Sequence, residues 1–134
     1  MPAPIRAKGF IQALRRHASP EGRRKYEHTS LAAEGDKFLG VPMGQVFRLA
    51  KECVGMDLTE VERLLDSPIH EVRVGAVSIM DFQARSSKTP PAQRKALFDL
   101  YIRRHDRINT WDLVDRSAIF VVGGYLSDKP RAAL

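Results

Sequence analysis

LTEVERLLDSPIHEVRVGAVSIM, residues 58–80, is the stretch on which the fold turns. Leu58, Val61, Leu64 and Leu65 recur at spacings of three and four, the period of a helix with one buried side. Thr59, followed three residues later by Glu62, has the pattern of a capping box and predicts a helix start. Ser67 and Pro68 then open a second helix, because a serine hydroxyl can accept a free amide and proline lacks the donor that an early helical position cannot use. Ile69, Val72, Ala76, Ile79 and Met80 give that helix one apolar stripe. His70 and Glu71 begin an H-E-x-x-H pattern, but Val74 occupies the place of the second histidine, so the zinc pair cannot form. Glu71 and Arg73 therefore read as ordinary charges near a helix N-terminus.

The same periodicity extends outward. Ile5, Phe10, Ile11 and Leu14 mark a first helix ending near His17, and Ser19 with Pro20 restarts the chain into an arginine-rich helix running to about Thr29. Residues 35–41 read as a loop, followed by Val46, Leu49, Ala50 and Cys53 at helical spacing until Gly55. Downstream, the polar run at 85–89 with Pro90 and Pro91 closes the central helix, and Ala96, Leu97, Leu100 and Tyr101 mark a sixth. A seventh begins near Asn109 or Thr110 and stops at Gly123 and Gly124. No strand alternation stands out, so the expected class is all-α. Short helices, two in roughly every 40 residues, predict HEAT-like helical-hairpin repeats, an α-solenoid, with a compact irregular bundle as the alternative.

At 134 residues, 43% of them hydrophobic and 28% charged, the chain is expected to form one domain over residues 1–134. Its formal charge of +6 is uneven: seven basic residues, Arg6, Lys8, Arg15, Arg16, Arg23, Arg24 and Lys25, face only Glu21 and Glu27 within the first thirty positions. A basic end attracts polyanions, nucleic acid among them; the plain alternative is a solvated helix face. Cys53 is the single cysteine, which rules out an internal disulfide or a cysteine-cluster zinc site and fits a reducing, cytoplasmic setting. The basic amphipathic start fits a first helix as well as it fits an organelle transit peptide. The longest uninterrupted apolar run, residues 118–122, is far short of the roughly 20 residues of a membrane span. Neither a phosphate-loop pattern nor a G-x-S-x-G elbow occurs, and no metal or cofactor is expected.

The stretch INTWDLVDRSA, residues 108–118, places the only tryptophan, Trp111, four residues before Asp115. On a helix those two side chains share one face. Taken alone, the tryptophan reads as a core anchor and the aspartate as surface polarity. Together with EGDKFLGVPMGQVFRLAK and LLDSPIHEVRVGAV, however, the stretch resembles the AlkD-type DNA alkylation repair family of DNA glycosylases, over about residues 26–130 in the family's order and spacing.

The resemblance implies a HEAT-like solenoid whose concave basic surface holds duplex DNA bearing alkylated bases. It implies excision of positively charged N3- or N7-alkylpurines without a deep base pocket. Trp111 corresponds to the family's active-site aromatic and Asp115 to its catalytic carboxylate, while Tyr26 stands where the family has an aromatic near the DNA. Arg23, Arg24, Arg103, Arg104, Arg107 and Arg116 are expected to contact phosphates, or else to solvate helix ends. A further arginine and a second tryptophan used by the family would fall beyond Leu134, so the expected solenoid is incomplete, with an uncapped apolar end around Phe120, Val121 and Tyr125 that favours self-association. A catalytically silent DNA-binding module and a HEAT-like protein-interaction scaffold are the rival functions.

Overall fold

The computed structural model describes residues 6–27 and 37–108, and within them six α-helices and one short 3-10 turn. The first, α1 (Ala7–Arg15), buries Ala7, Phe10 and Leu14 on one stripe and exposes Lys8, Gln12 and Arg15. Arg6, at its N-cap, offers no side-chain cap; Glu60 Oε1 from another helix accepts the Ala7 amide instead, at 3.1 Å. Next comes α2 (Pro20–Glu27), begun as expected, with Ser19 Oγ accepting the Gly22 amide at 3.0 Å.

Residues 37–41 lead into α3 (Met43–Glu52), which turns Val46 and Ala50 inward. The expected capping box at the start of α4 (Leu58–Leu65) does not form. Asp57 holds the N-cap position, so Thr59 lies inside the first turn, and Glu62 reaches across to Arg103 and Arg104. Val61, Leu64 and Leu65 still face the core, because the apolar period is indifferent to a shift in the helix start.

At the centre lies α5 (His70–Arg85), buried on almost every side rather than along one stripe. Both α3 and α4 pack along it, and α1 lies against α3 and α4. Phe10 reaches through to Gly75 of α5, where a Cβ would meet the ring atoms Cζ and Cε1 at 2.4 and 2.5 Å. The last long helix, α6 (Pro91–Arg103), starts with proline as its first residue and packs on α4 and α5 through Leu97, Leu100 and Tyr101. Its Arg94 donates to the Ala84 and Ser86 carbonyls at 2.6 and 2.7 Å, and Thr89 Oγ1 donates to the Gln83 carbonyl at 2.6 Å. The Gln83 and Ala84 carbonyls in the last turn of α5 are thereby satisfied. The 3-10 turn His105–Arg107 follows, and Ile108 closes it in the core.

Two glycines should respond to alanine with opposite signs. In α5, Gly75→Ala gains about 1 kcal/mol of helix propensity but drives a methyl into the fully buried Phe10 ring, an overpacking cost of roughly 1–3 kcal/mol. In α3, Gly44 has open space around the added carbon, so only the propensity gain applies. Melting temperature should fall for Gly75→Ala and hold or rise for Gly44→Ala; a rise for both would mean that the Phe10 ring is not held in place.

Candidate nucleic-acid interface

Glu71 and Arg73 are not the ordinary helix N-terminal charges that the sequence suggests. Both sit on α5 within a helix that has no open face, at 0% and 1% exposure. A buried carboxylate requires donors, and Glu71 finds them in the loop ahead of α3. Its Oε2 accepts the Gly40 and Val41 amides at 2.7 and 2.9 Å, and its Oε1 accepts the Leu39 amide at 3.0 Å. Arg73 Nη1 donates to the Ser67 carbonyl at 2.8 Å. A parallel bridge between Lys37 and Ile69 holds the same two segments, with the His70 amide donating to the Lys37 carbonyl at 2.8 Å. Gly40, at φ 87, turns this loop in a conformation that side-chain-bearing residues rarely adopt.

The loop in turn seats α2. Ser19 Oγ lies 3.5 Å from the Gly40 carbonyl, and a Cβ on Gly22 would fall 2.4 Å from that same oxygen. Among the residues expected to face DNA, Arg24 lies exposed on α2. Arg23 and Tyr26 lie in the same helix and Arg107 in the 3-10 turn, with side chains outside what the structure describes. The exposed face of α1 presents Lys8 and Arg15, and the exposed Arg16 follows as its C-cap. On α3, Arg48 and Lys51 stand one turn apart on the exposed side, opposite Val46 and Ala50. Among the described residues, Lys8, Arg15, Arg16, Arg24, Arg48 and Lys51 make no ion pair. Sequence reading overlooked Arg48 and Lys51, although their spacing against the apolar stripe of α3 was there to be seen.

The arginines at the end of α6 have a different setting. Arg104, with 19% of its side chain exposed, is gripped by Glu62 of α4 and by Asp66 just past its end, and lies 3.9 Å from Asp106. Its Nη1 donates to Glu62 Oε2 at 2.9 Å. Arg103, with 58% exposed, makes one polar contact among the described residues, from Nη2 to Glu62 Oε1 at 2.7 Å. Hydrogen bonds from Arg104 and then Arg103 hold the Glu62 carboxyl below its ordinary range. Beside this pair a shallow recess of about 250 Å3 runs between α4 and α6, lined by Leu58, Thr59, Ala96, Asp99 and Leu100 as well as Glu62 and Arg103. It adjoins a wider open groove of about 610 Å3 that includes Asp57, Gln83, Lys88 and Gln93.

Trp111, Asp115 and Arg116, together with the expected seventh helix and the apolar residues Phe120, Val121 and Tyr125, lie outside the described residues. What is described ends at Ile108, 4% exposed, three positions before Trp111. Cys53 offers no alternative nucleophile: burial, with a smaller contribution from Glu52, pushes its thiol up to about 11. Among the described residues no cluster of histidine, cysteine or carboxylate side chains could hold a metal ion, and no helix is long and apolar enough to cross a membrane.

The sequence model of a family described as DNA alkylation repair enzyme matches residues 10–134. No curated protein and no solved structure matches the chain.

Proposed function

From the chain's membership of the DNA alkylation repair enzyme family, we propose that it is a DNA glycosylase that releases positively charged N3- or N7-alkylpurines from duplex DNA. The observation that carries this reading is the family match across residues 10–134, a span that contains INTWDLVDRSA. The helices fit a single HEAT-like domain, since α4 with α5 and α5 with α6 are joined by short connections and pack on one another. Exposed cations on α1, α2 and α3 fit a surface for phosphates.

Chemistry gives Trp111 and Asp115 complementary tasks. An alkylated purine is already cationic, and as its glycosidic bond breaks, positive charge passes to the sugar as an oxocarbenium-like centre. An indole face presents the negative side of its quadrupole to such a cation, while a carboxylate supplies a full charge and can hold the attacking water. On a helix, residues four positions apart share one face, so a helical conformation there would let both face the same sugar.

Release of N7-methylguanine from methylated duplex DNA, measured beside duplex binding on the same preparation, tests the reading. Release above the uncatalysed rate is the expected result. Binding without release would identify a silent DNA-binding module, and failure to bind at low salt would leave the protein-interaction scaffold as the better account.

A further inference from the structure

We infer that Arg103 and Arg104 divide their labour, with Arg104 a fixed strut and Arg103 a mobile phosphate contact that Glu62 holds in reserve until DNA arrives. The inference rests on the proposed DNA-binding role and names how one part of that surface is regulated.

Arg104 has three carboxylates around it: Glu62, Asp66 and Asp106. Moving it to a phosphate would strip Asp66 of this contact as well as breaking the Glu62 bond that ties α6 to α4. The guanidinium fork has a carboxylate at each end, Glu62 within α4 and Asp66 just past its last residue, and both contacts must break before the side chain can leave. Arg103 is the contrary case. Its one contact goes to an oxygen of a carboxylate whose other oxygen already belongs to Arg104. When Arg103 swings away, Glu62 remains paired, and no buried charge is left exposed to an apolar surrounding. The exchange therefore costs only an exposed ion pair, a factor of about five in equilibrium at most.

Phosphate and Glu62 thus compete for the same guanidinium. Glu62 has two effects: it keeps Arg103 at the α6 end, two residues before the 3-10 turn, and it weakens non-specific attraction to polyanions. Its removal should tighten binding only through Arg103. The recess between α4 and α6, which both Glu62 and Arg103 line, leaves the arginine open space in which to reorient.

Salt titrations of duplex DNA binding by four proteins decide the matter: wild type, Arg103→Ala, Glu62→Gln, and the double variant. Each phosphate contact contributes about 0.9 to the slope of log K against log salt, so Arg103→Ala should lower the slope by about that amount. Glu62→Gln should tighten binding roughly two- to fivefold, and this gain should vanish in the Arg103→Ala background. Circular dichroism on each variant confirms that the fold is kept, and a merely structural Arg103 would leave the salt slope unmoved. An unchanged slope in Arg103→Ala, or an equal gain from Glu62→Gln with and without Arg103, overturns the gate. A wild type that binds no duplex at low salt overturns the proposed function itself and the gate along with it, so the two failures are told apart by the first titration.

Discussion

Asp115→Asn should abolish nearly all release of N7-methylguanine while leaving duplex binding and the circular dichroism spectrum as they are. Asparagine keeps the shape of the side chain and removes its charge. If the carboxylate faces the sugar as the glycosidic bond breaks, it acts where positive charge develops, and losing one preorganised electrostatic group at such a place commonly costs about 100- to 1000-fold in rate. An aspartate that merely solvates a helix would cost nothing measurable on mutation. The effect should appear in the single-turnover rate and not in affinity, because the charge is most needed in the transition state and not in the bound ground state. Trp111→Phe belongs in the same assay: it keeps a π face with a weaker quadrupole, so release should fall less than in Asp115→Asn. Equal rates for wild type and Asp115→Asn would remove the carboxylate from the chemistry.

The local rules of helix formation were legible in the sequence, and the partners of buried charges were not. Pro20 stands as the first residue of its helix and Ser19 accepts the Gly22 amide, because each is decided within a few residues, whereas the helix expected to open at Ser67 and Pro68 begins at His70 with Ile69 as its N-cap. The apolar stripes of α1, α3 and α4 face the core as their periods predict. Thr59 and Glu62 show where such rules stop: both obey the capping-box spacing, yet Glu62 has two arginines forty-odd residues ahead with which it makes charge-assisted bonds. A pattern of three residues cannot register competitors that the fold brings in.

Glu71 is the clearest case. The amides it accepts lie thirty or more residues earlier in the chain, so nothing adjacent marks it. A signal existed, however. Ten of the sixteen positions of α5 are small or apolar, and Val74 and Val77 lie off the single stripe, so the helix has apolar residues on more than one side and little wet face to offer a charge. A carboxylate in such a helix has to be paired internally. Reading only the stripe Ile69, Val72, Ala76, Ile79 and Met80 hid that conclusion. For Trp111 and Asp115 the sequence carries the assignment through the resemblance alone, and their positions lie outside the described residues.

Glu71→Ala should be the most damaging single substitution among the charged residues described. It removes the acceptor of three backbone amides, those of Gly40 and Val41 being fully inside the protein. Hydrogen bonds to a charged group contribute about 1.5–3 kcal/mol each, and an amide left unsatisfied inside the fold costs about 1–3 kcal/mol. Allowing for water entering the vacated space, the loss should be roughly 3–5 kcal/mol, a large part of the roughly 5–15 kcal/mol by which domains of this kind are stable. Melting temperature should fall by roughly 10–20 °C. Glu71→Gln retains one acceptor oxygen and turns an NH2 group towards the donors, so its loss should lie between wild type and Glu71→Ala. An ordinary charge near a helix N-terminus would cost only about 0.3–1 kcal/mol, and a loss that small would refute the role of Glu71 as the acceptor that holds the 39–41 loop. Amide hydrogen exchange supplies an independent reading: Leu39, Gly40 and Val41 should be protected in the wild type and exchange rapidly in Glu71→Gln. The damage should also reach DNA binding, since the Gly40 turn that Glu71 fixes carries the seat of α2 and leads directly into α3, and with them Arg24, Arg48 and Lys51. Loosening that turn frees three cations to move independently, so Glu71→Gln, measured well below its own melting temperature, should bind duplex DNA more weakly than wild type although Glu71 itself touches no phosphate.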